Sequence, residues 1–390
     1  LLPMKKKLTS LFREFLASEQ TSGILLIICT IASLLLANSS LGPAYLAFWH
    51  SAAGFTAGPI SLNFTLEQWV NDGLMTVFFL LVGLEIEREL YIGELADLKQ
   101  AVLPIAAAAG GMLVPALIHF LLNHGTLTQR GAGIPMATDI AFAIGVLALF
   151  GSTVPLSLKI FLTALAIIDD LGAIIIIALF YTGSLSLGYL VAALGIFALL
   201  LVSNRLGVNR LWAYLIPGIC LWYCLLQSGV HATLAGVLLA FAIPFRRGDE
   251  RSPSYQLQHF LHKPVAFLII PLFALANTGI LLGPDWADSL TSLNSLGIFG
   301  GLVLGKPLGI CLFSLLAIKL GLSRLPKGVD WQHLLGAGFL GGIGFTMSIF
   351  ITLLAFNDPH LIQNAKIAVM LSSLTAGIIG AAILHRTLRS

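Results

Sequence analysis

The apolar residues of this chain are gathered into about twelve blocks of roughly 17 to 25 residues, each long enough as a helix to cross a ~30 Å hydrocarbon layer. No other feature restricts the fold so severely. Of the 390 residues 57% are hydrophobic and 10% charged, too few charges to cover a water-facing surface of that size. The chain therefore reads as an all-α polytopic membrane protein. Disorder, a coiled coil, a disulfide scaffold and a nucleic-acid binder are excluded. The 21 basic and 18 acidic residues are spread along the chain, with no basic cluster beyond Lys5, Lys6 and Lys7.

The expected spans are 23–41, 66–84, 101–122, 132–150, 156–181, 185–204, 211–226, 229–245, 263–283, 293–317, 333–356 and 364–386. An even count puts both termini on one side. Of the 21 Lys and Arg residues, only Arg130 and Lys366 then fall on the far side and Lys306 lies inside a span, leaving 18 on the side of the termini. Positive residues concentrate in cytoplasmic loops, so both termini are expected to be cytoplasmic. The first span exceeds the ~7 to 15 residues of a signal-peptide core and is expected to remain. Before it, Leu8, Leu11, Phe12, Phe15 and Leu16 fall at helical spacing beside Lys5, Lys6, Lys7 and Arg13, which predicts an interfacial helix over 1–22 on an anionic leaflet. Cys29, Cys220, Cys224 and Cys311 lie inside apolar blocks, outside any metal-ligand spacing, and read as small core residues.

Two connections are long. Residues 42–65 carry no Lys or Arg, and a Gly58-Pro59 turn signal between apolar residues fits either a small extracytoplasmic β-hairpin or an irregular loop. Residues 246–262, with Arg246, Arg247, Asp249, Glu250, Arg251, His259 and His262, form the expected main cytoplasmic loop. Two nucleotide motifs fail on context. Gly336, Gly338 and Gly341 match GxGxxG but follow no strand, and Gly300, Gly305 and Lys306 match GxxxxGK but are followed by Pro307 where magnesium needs a hydroxyl.

The sites of chemistry are the charges inside spans: Asp139, Asp169, Asp170 and Lys306, with Asp72 nearer a span end. Each costs about 2.5 to 3.5 kcal/mol at a helix centre on insertion scales. A purely structural Asp/Lys pair is one explanation, but three acids and one base do not cancel. The excess carboxylate points to a cation or proton pathway. Carboxylate oxygens with a hydroxyl such as Thr138 suit a small hard cation, sodium or lithium. Asp169 and Asp170 project about 100° apart, so one can meet Lys306 while the other meets an ion.

Gly133, Pro135 and the run Gly336, Gly338, Gly341, Gly342 and Gly344 make spans 4 and 11 poor continuous helices. They hold matching places in spans 3–5 and 10–12, the pattern of inverted repeats with broken helices around a midplane site. Half-helix ends in the bilayer interior would favour a carboxylate such as Asp139 at a positive end and Lys306 at a negative one. Gly297, Gly301, Gly305 and Gly309 recur every fourth residue, a ridge that a neighbouring backbone can approach closely. Span 5 with its aspartates is the expected neighbour.

The segments Ala137 to Gly145 (ATDIAFAIG), Ala164 to Gly172 (ALAIIDDLG), Gly305 to Gly309 (GKPLG) and Gly342 to Ser348 (GIGFTMS) closely resemble the NhaA-type sodium/proton antiporters, and the resemblance runs along essentially the whole chain. It implies one transporter domain over 1–390 in a bacterial inner membrane, with twelve helices and crossing interruptions in spans 4 and 11. By the same resemblance Asp169 and Asp170 carry sodium and protons and Lys306 pairs with Asp169. Asp139 and Thr138 sit at the crossing, and no cofactor is required. It further implies a pH-responsive cytoplasmic region with Glu85, Arg88, Glu89, His231, His259 and His262, for which the residues alone also allow a solvated helix end and exposed loop histidines. Tyr255, Gln256 and Gln258 stand where that family's loop carries more charge. By the same resemblance, an extracytoplasmic hairpin at 42–65 would join two protomers into a homodimer.

The expected activity is electrogenic exchange of cytoplasmic sodium or lithium for external protons, with cation and proton competing for one site. A sodium-coupled organic anion symporter of similar broken-helix architecture is the alternative. An intramembrane aspartyl protease would resemble its class in a Gly-x-Gly-Asp segment, which this chain lacks.

Overall fold

The computed structural model describes residues 21–57, 60–183, 185–245, 251–283 and 286–389. The expected interfacial helix with Lys5, Lys6, Lys7 and Arg13, and loop residues Arg246, Arg247, Asp249 and Glu250, lie outside these. The chain forms two compact units. One comprises the described residues of Leu1–Ile28, Asp97–Ala173 and Leu282–Ser390, the other Cys29–Ala96 and Ile174–Leu281. Among the described residues, seven helices are long and apolar enough to cross a membrane, or up to ten if each of three sharply bent helix pairs is one span. The expected span 211–226 appears as the helix Trp212–Ser228, and the expected span 229–245 as the shorter helix Leu234–Ala242.

The first unit contains two triplets of one pattern: a long helix, a broken span, then another long helix. Leu98–Leu122 is followed by Leu127–Met136 and Ile140–Ala148, bent by 40°, and then by Leu156–Phe180, the aspartate helix, which continues past Ala173. Leu293–Lys319, the lysine helix, is followed by Trp331–Gly341 and Phe345–Ala355, bent by 45°, and by Pro359–Thr387. Both breaks fall where the glycine and proline residues weaken the helix.

The glycine ridge of the lysine helix corrects one expectation. It packs on the Leu98–Leu122 helix and not on the aspartate helix. A Cβ on Gly305 would stand 2.9 Å from Pro115 Cα, and one on Gly309 would strike the Gly110 carbonyl. The reason is reciprocal. Gly110 and Gly111 leave a matching hollow, so the two backbones meet glycine to glycine. Pro307 has no N–H to give to the preceding turn, and the turn just before it, Gly300–Gly305, is a π-helix, which widens the backbone there. Lys306 follows Gly305 by about 100° of helix, so it points off the ridge while the ridge fixes its height.

In the second unit, the 42–65 segment begins with a helix at Gly42–Trp49 and continues as a β-hairpin, with Ala52–Ala57 antiparallel to Ile60–Thr65 in the register Ala52 to Thr65. The indole of Trp69 donates to Ala53 O at 2.6 Å and stacks on Trp222 at 6.1 Å, which anchors the hairpin base. The expected loop 246–262 is partly helical. Ser252 caps a helix at Pro253–Pro264 that runs through a π-turn into Ile270–Asn277, so the span begins ten residues earlier than expected. Proline at N1 and a serine cap start a helix whatever the polarity of the turn that follows, and hydropathy does not register this.

Because the ridge has no room, Gly309→Val should lower thermal stability in detergent by an overpacking cost of about 1–3 kcal/mol. Gly188→Ala, with open space around its Cβ, should not lower it. An equal, negligible effect of both on the melting temperature would show that the ridge is not a close contact.

Candidate functional site

The two breaks of the first unit meet. Ala137 and Asp139 are extended, and the Asp139 N–H donates to Ile343 O at 2.7 Å, while Ser348 Oγ donates to Ile134 O at 2.6 Å. Each break leaves backbone groups without helical partners, and each satisfies those of the other. Asp139 caps its own half-helix by accepting from Phe142 N at 3.1 Å. Its second oxygen accepts from Thr346 N at 3.0 Å and from Thr346 Oγ1. One carboxylate thus sits on the N-terminal ends of two half-helices, where the helix dipole favours negative charge.

Lys306 occupies the opposite kind of end. Its Nζ donates to Met136 O, the last carbonyl of Leu127–Met136, and to Asp169 Oδ2 at 2.7 Å. Both side chains are 0% exposed. The pair is two fully buried charges, tolerable because the ammonium has both a carboxylate and a helix C-terminus to face. Thr138 Oγ1 lies 2.6 Å from Asp169 Oδ2 and 2.8 Å from Gly341 O. Its single proton can serve one acceptor at a time, so its orientation depends on whether Asp169 carries a proton. Among the described residues, Asp169 Oδ1 has no hydrogen-bond donor. Asp170 is buried one residue on and is electrostatically coupled to Lys306.

The structure therefore brings Thr138, Asp139, Asp169, Asp170 and Lys306 together in one unit. Asp72 belongs to the other unit, in the π-turn Trp69–Leu74, where its carbonyl accepts from Trp222 Nε1 and Thr76 Oγ1. Glu85, Arg88, Glu89, His231, His259 and His262 also belong to that unit. Glu85 is buried and hydrogen-bonded by Gln258, and Arg88 pairs with Glu89 at 3.0 Å. His231 Nε2 lies 2.7 Å from Tyr181 O, His259 is exposed and His262 half-buried on the Pro253–Pro264 helix.

Sequence reasoning missed Thr346, Gly341, Met136 and Ile343, of which three act through backbone carbonyls that no side chain advertises. Thr346 was legible in principle, since it follows the Gly342–Gly344 break and is placed to donate to an anion. It also missed Glu87 and Ser254, buried in the second unit with Ser254 Oγ donating to Glu87 Oε2 at 3.0 Å.

Comparison with known proteins decides the family. The Na+/H+ antiporter 1 family profile matches residues 13–384. The chain belongs to this family. It is 61% identical over 378 residues to the Na(+)/H(+) antiporter NhaA of Dechloromonas aromatica, covering 96% of this chain and 95% of that protein. It is 60% identical to the protein of the same name from Flavobacterium psychrophilum, over 96% of this chain and 95% of that one. The corresponding figures for Cytophaga hutchinsonii are 58%, 98% and 97%. As a member of a sodium/proton antiporter family rich in apolar helices, the chain is a multi-pass membrane protein.

If Thr346 holds the two breaks together through Asp139, Thr346→Val should destabilise the protein by about 1.5–3 kcal/mol, the worth of a hydrogen bond to a charged group. Thr346→Ser should not. Identical melting curves for wild type and Val would show that the backbone N–H alone satisfies Asp139.

Proposed function

We propose that the chain is an electrogenic sodium or lithium/proton antiporter. It exports cytoplasmic sodium for external protons by alternating access to one site at Asp169 and Asp170. The observation that carries this reading is the buried constellation at the meeting of the two breaks. Two adjacent carboxylates share one lysine and a hydroxyl, so the site has an acid more than it has bases. A sodium ion and a proton are alternative ways of neutralising that excess. When sodium takes a carboxylate, the ammonium of Lys306 is in competition with it for the same oxygens, and protons held by the Asp169–Lys306 pair and by Asp170 are released. Competition of this kind couples the two fluxes without a separate gate.

If one sodium replaces two protons, the two loaded forms differ by one charge, worth about 2.3 kcal/mol per 100 mV. An inside-negative potential then drives sodium out. In this reading the spans number twelve, spans 3–5 and 10–12 are inverted repeats, and spans 4 and 11 cross where Asp139 and Lys306 meet opposite helix ends. Both termini face the cytoplasm of a bacterial inner membrane. Glu85, Arg88, Glu89, His231, His259 and His262 tune the response to cytoplasmic pH. The 42–65 hairpin joins two protomers, and Lys5, Lys6, Lys7 and Arg13 meet anionic lipid. Relatives named Na(+)/H(+) antiporters support the ion pair chosen.

In everted vesicles, sodium chloride alone should dissipate a preformed pH gradient; a requirement for an organic anion would replace antiport with symport. Asp170→Asn should abolish this response and the sodium-dependent proton release of the purified protein, and retained release would remove Asp170 from the site. Lys306→Ala should lower stability or change the charge moved per cycle. A variant unaltered in both would break the assigned Asp169–Lys306 partnership.

A further inference from the structure

Among the described residues, two buried hydroxyls have no hydrogen-bond partner: Thr163 Oγ1 and Ser314 Oγ. Many other buried or half-buried hydroxyls on the described helices are satisfied. Thr76, Thr278, Thr352, Ser372 and Thr375 donate to the carbonyl four residues earlier, and Ser348 and Ser254 make tertiary bonds. Thr163 makes neither kind, although the same back-bond is open to any threonine within a helix. A hydroxyl buried in apolar surroundings without a partner is costly, and costlier in a membrane. Natural structures leave few such groups, and each calls for an explanation.

Their positions supply one. Thr163 lies on the aspartate helix seven residues before Asp170, within about 20° of the same face and ~10 Å along the axis. Ser314 lies on the lysine helix eight residues beyond Lys306, ~12 Å along that axis. With both termini cytoplasmic, the two helices run in opposite directions. Each hydroxyl then stands about two turns to the cytoplasmic side of its own charged residue. A small hard cation moving to a buried carboxylate must exchange hydration water for protein oxygen in stages. A hydroxyl tied to its own backbone gives up part of that capacity; one without a protein partner keeps both lone pairs and its proton available.

We propose that the Thr163 hydroxyl is an oxygen ligand for a partly dehydrated monovalent cation in transit between the cytoplasmic face and Asp170, with Ser314 serving the same route from the lysine helix. The proposal rests on sodium/proton exchange at Asp170 and adds a residue to its cytoplasmic path. Thr163 takes no part in the Asp169–Lys306 pair and does not set the stoichiometry. Its role is confined to how readily the ion arrives and leaves on one side.

The test measures sodium- and lithium-dependent pH-gradient dissipation in everted and right-side-out vesicles, for wild type, Thr163→Val, Thr163→Ser and Ser314→Ala, together with melting temperatures in detergent. Thr163→Val is expected to raise the apparent KM for sodium at the cytoplasmic face by about 3- to 10-fold, the range of one lost hydrogen-bond-strength contact. It should leave the KM at the external face unchanged. Thr163→Ser should restore the wild-type value, and Ser314→Ala should show the same sidedness. The melting temperature of Thr163→Val should equal or exceed that of wild type, because the variant removes a polar atom that satisfies nothing in the protein.

An unchanged cytoplasmic KM, an equal rise at both faces, or a fall in melting temperature matched by lost activity would each overturn the proposal. Failure of wild-type vesicles to respond to sodium would instead remove the antiport reading itself.

Discussion

The ion pair of Lys306 with Asp169 is the constraint around which the first unit is arranged. Two charges at 0% exposure are supportable only with further polar partners. A continuous helix cannot offer these at mid-span, because its backbone groups are already used. Breaking two spans frees carbonyls and amides where the charges lie. Met136 O then faces the ammonium, and the amides of Phe142 and Thr346 face Asp139. Removing either break would leave a charge in lipid without its partner, so site and fold stand or fall together.

The glycine ridge serves the same end from a distance. It holds the lysine helix against Leu98–Leu122 so closely that Lys306 can reach Met136 and Asp169 from its own helix, and the π-turn at Gly300–Gly305 sets the register with which it does so. The packing is rigid where the chemistry needs fixed distances. Proton bookkeeping is left to Thr138, whose one hydrogen has two acceptors, and to carboxylate oxygens not already committed, such as Asp169 Oδ1.

Much of this could be read from the chain. Apolar block length gave the membrane class, Gly133, Pro135 and Gly336–Gly344 located both breaks, and the four intramembrane charges named the residues that the fold gathers at the candidate site. What could not be read has physical reasons. A GxxxG face declares close approach without naming the neighbour, so the partner of Gly305 and Gly309 was misjudged. Carbonyl acceptors such as those of Gly341, Met136 and Ile343 belong to every residue alike, and only the fold selects which are used. The Ser252 cap with Pro253 started a helix in a polar stretch that hydropathy assigned to a loop. The choice between hairpin and irregular loop at 42–65 depended on the Trp69 anchor, which lies outside the segment itself.

The competing demands on Asp169 and Asp170 make the central claim directly measurable. Calorimetric titration of the purified protein with sodium chloride across pH reads the competition as affinity. If protons and sodium neutralise the same carboxylates, sodium binding weakens progressively as the solution is acidified, with proton release at each addition. Sodium affinity that stays constant from acid to alkaline pH, with no protons released, would contradict the account.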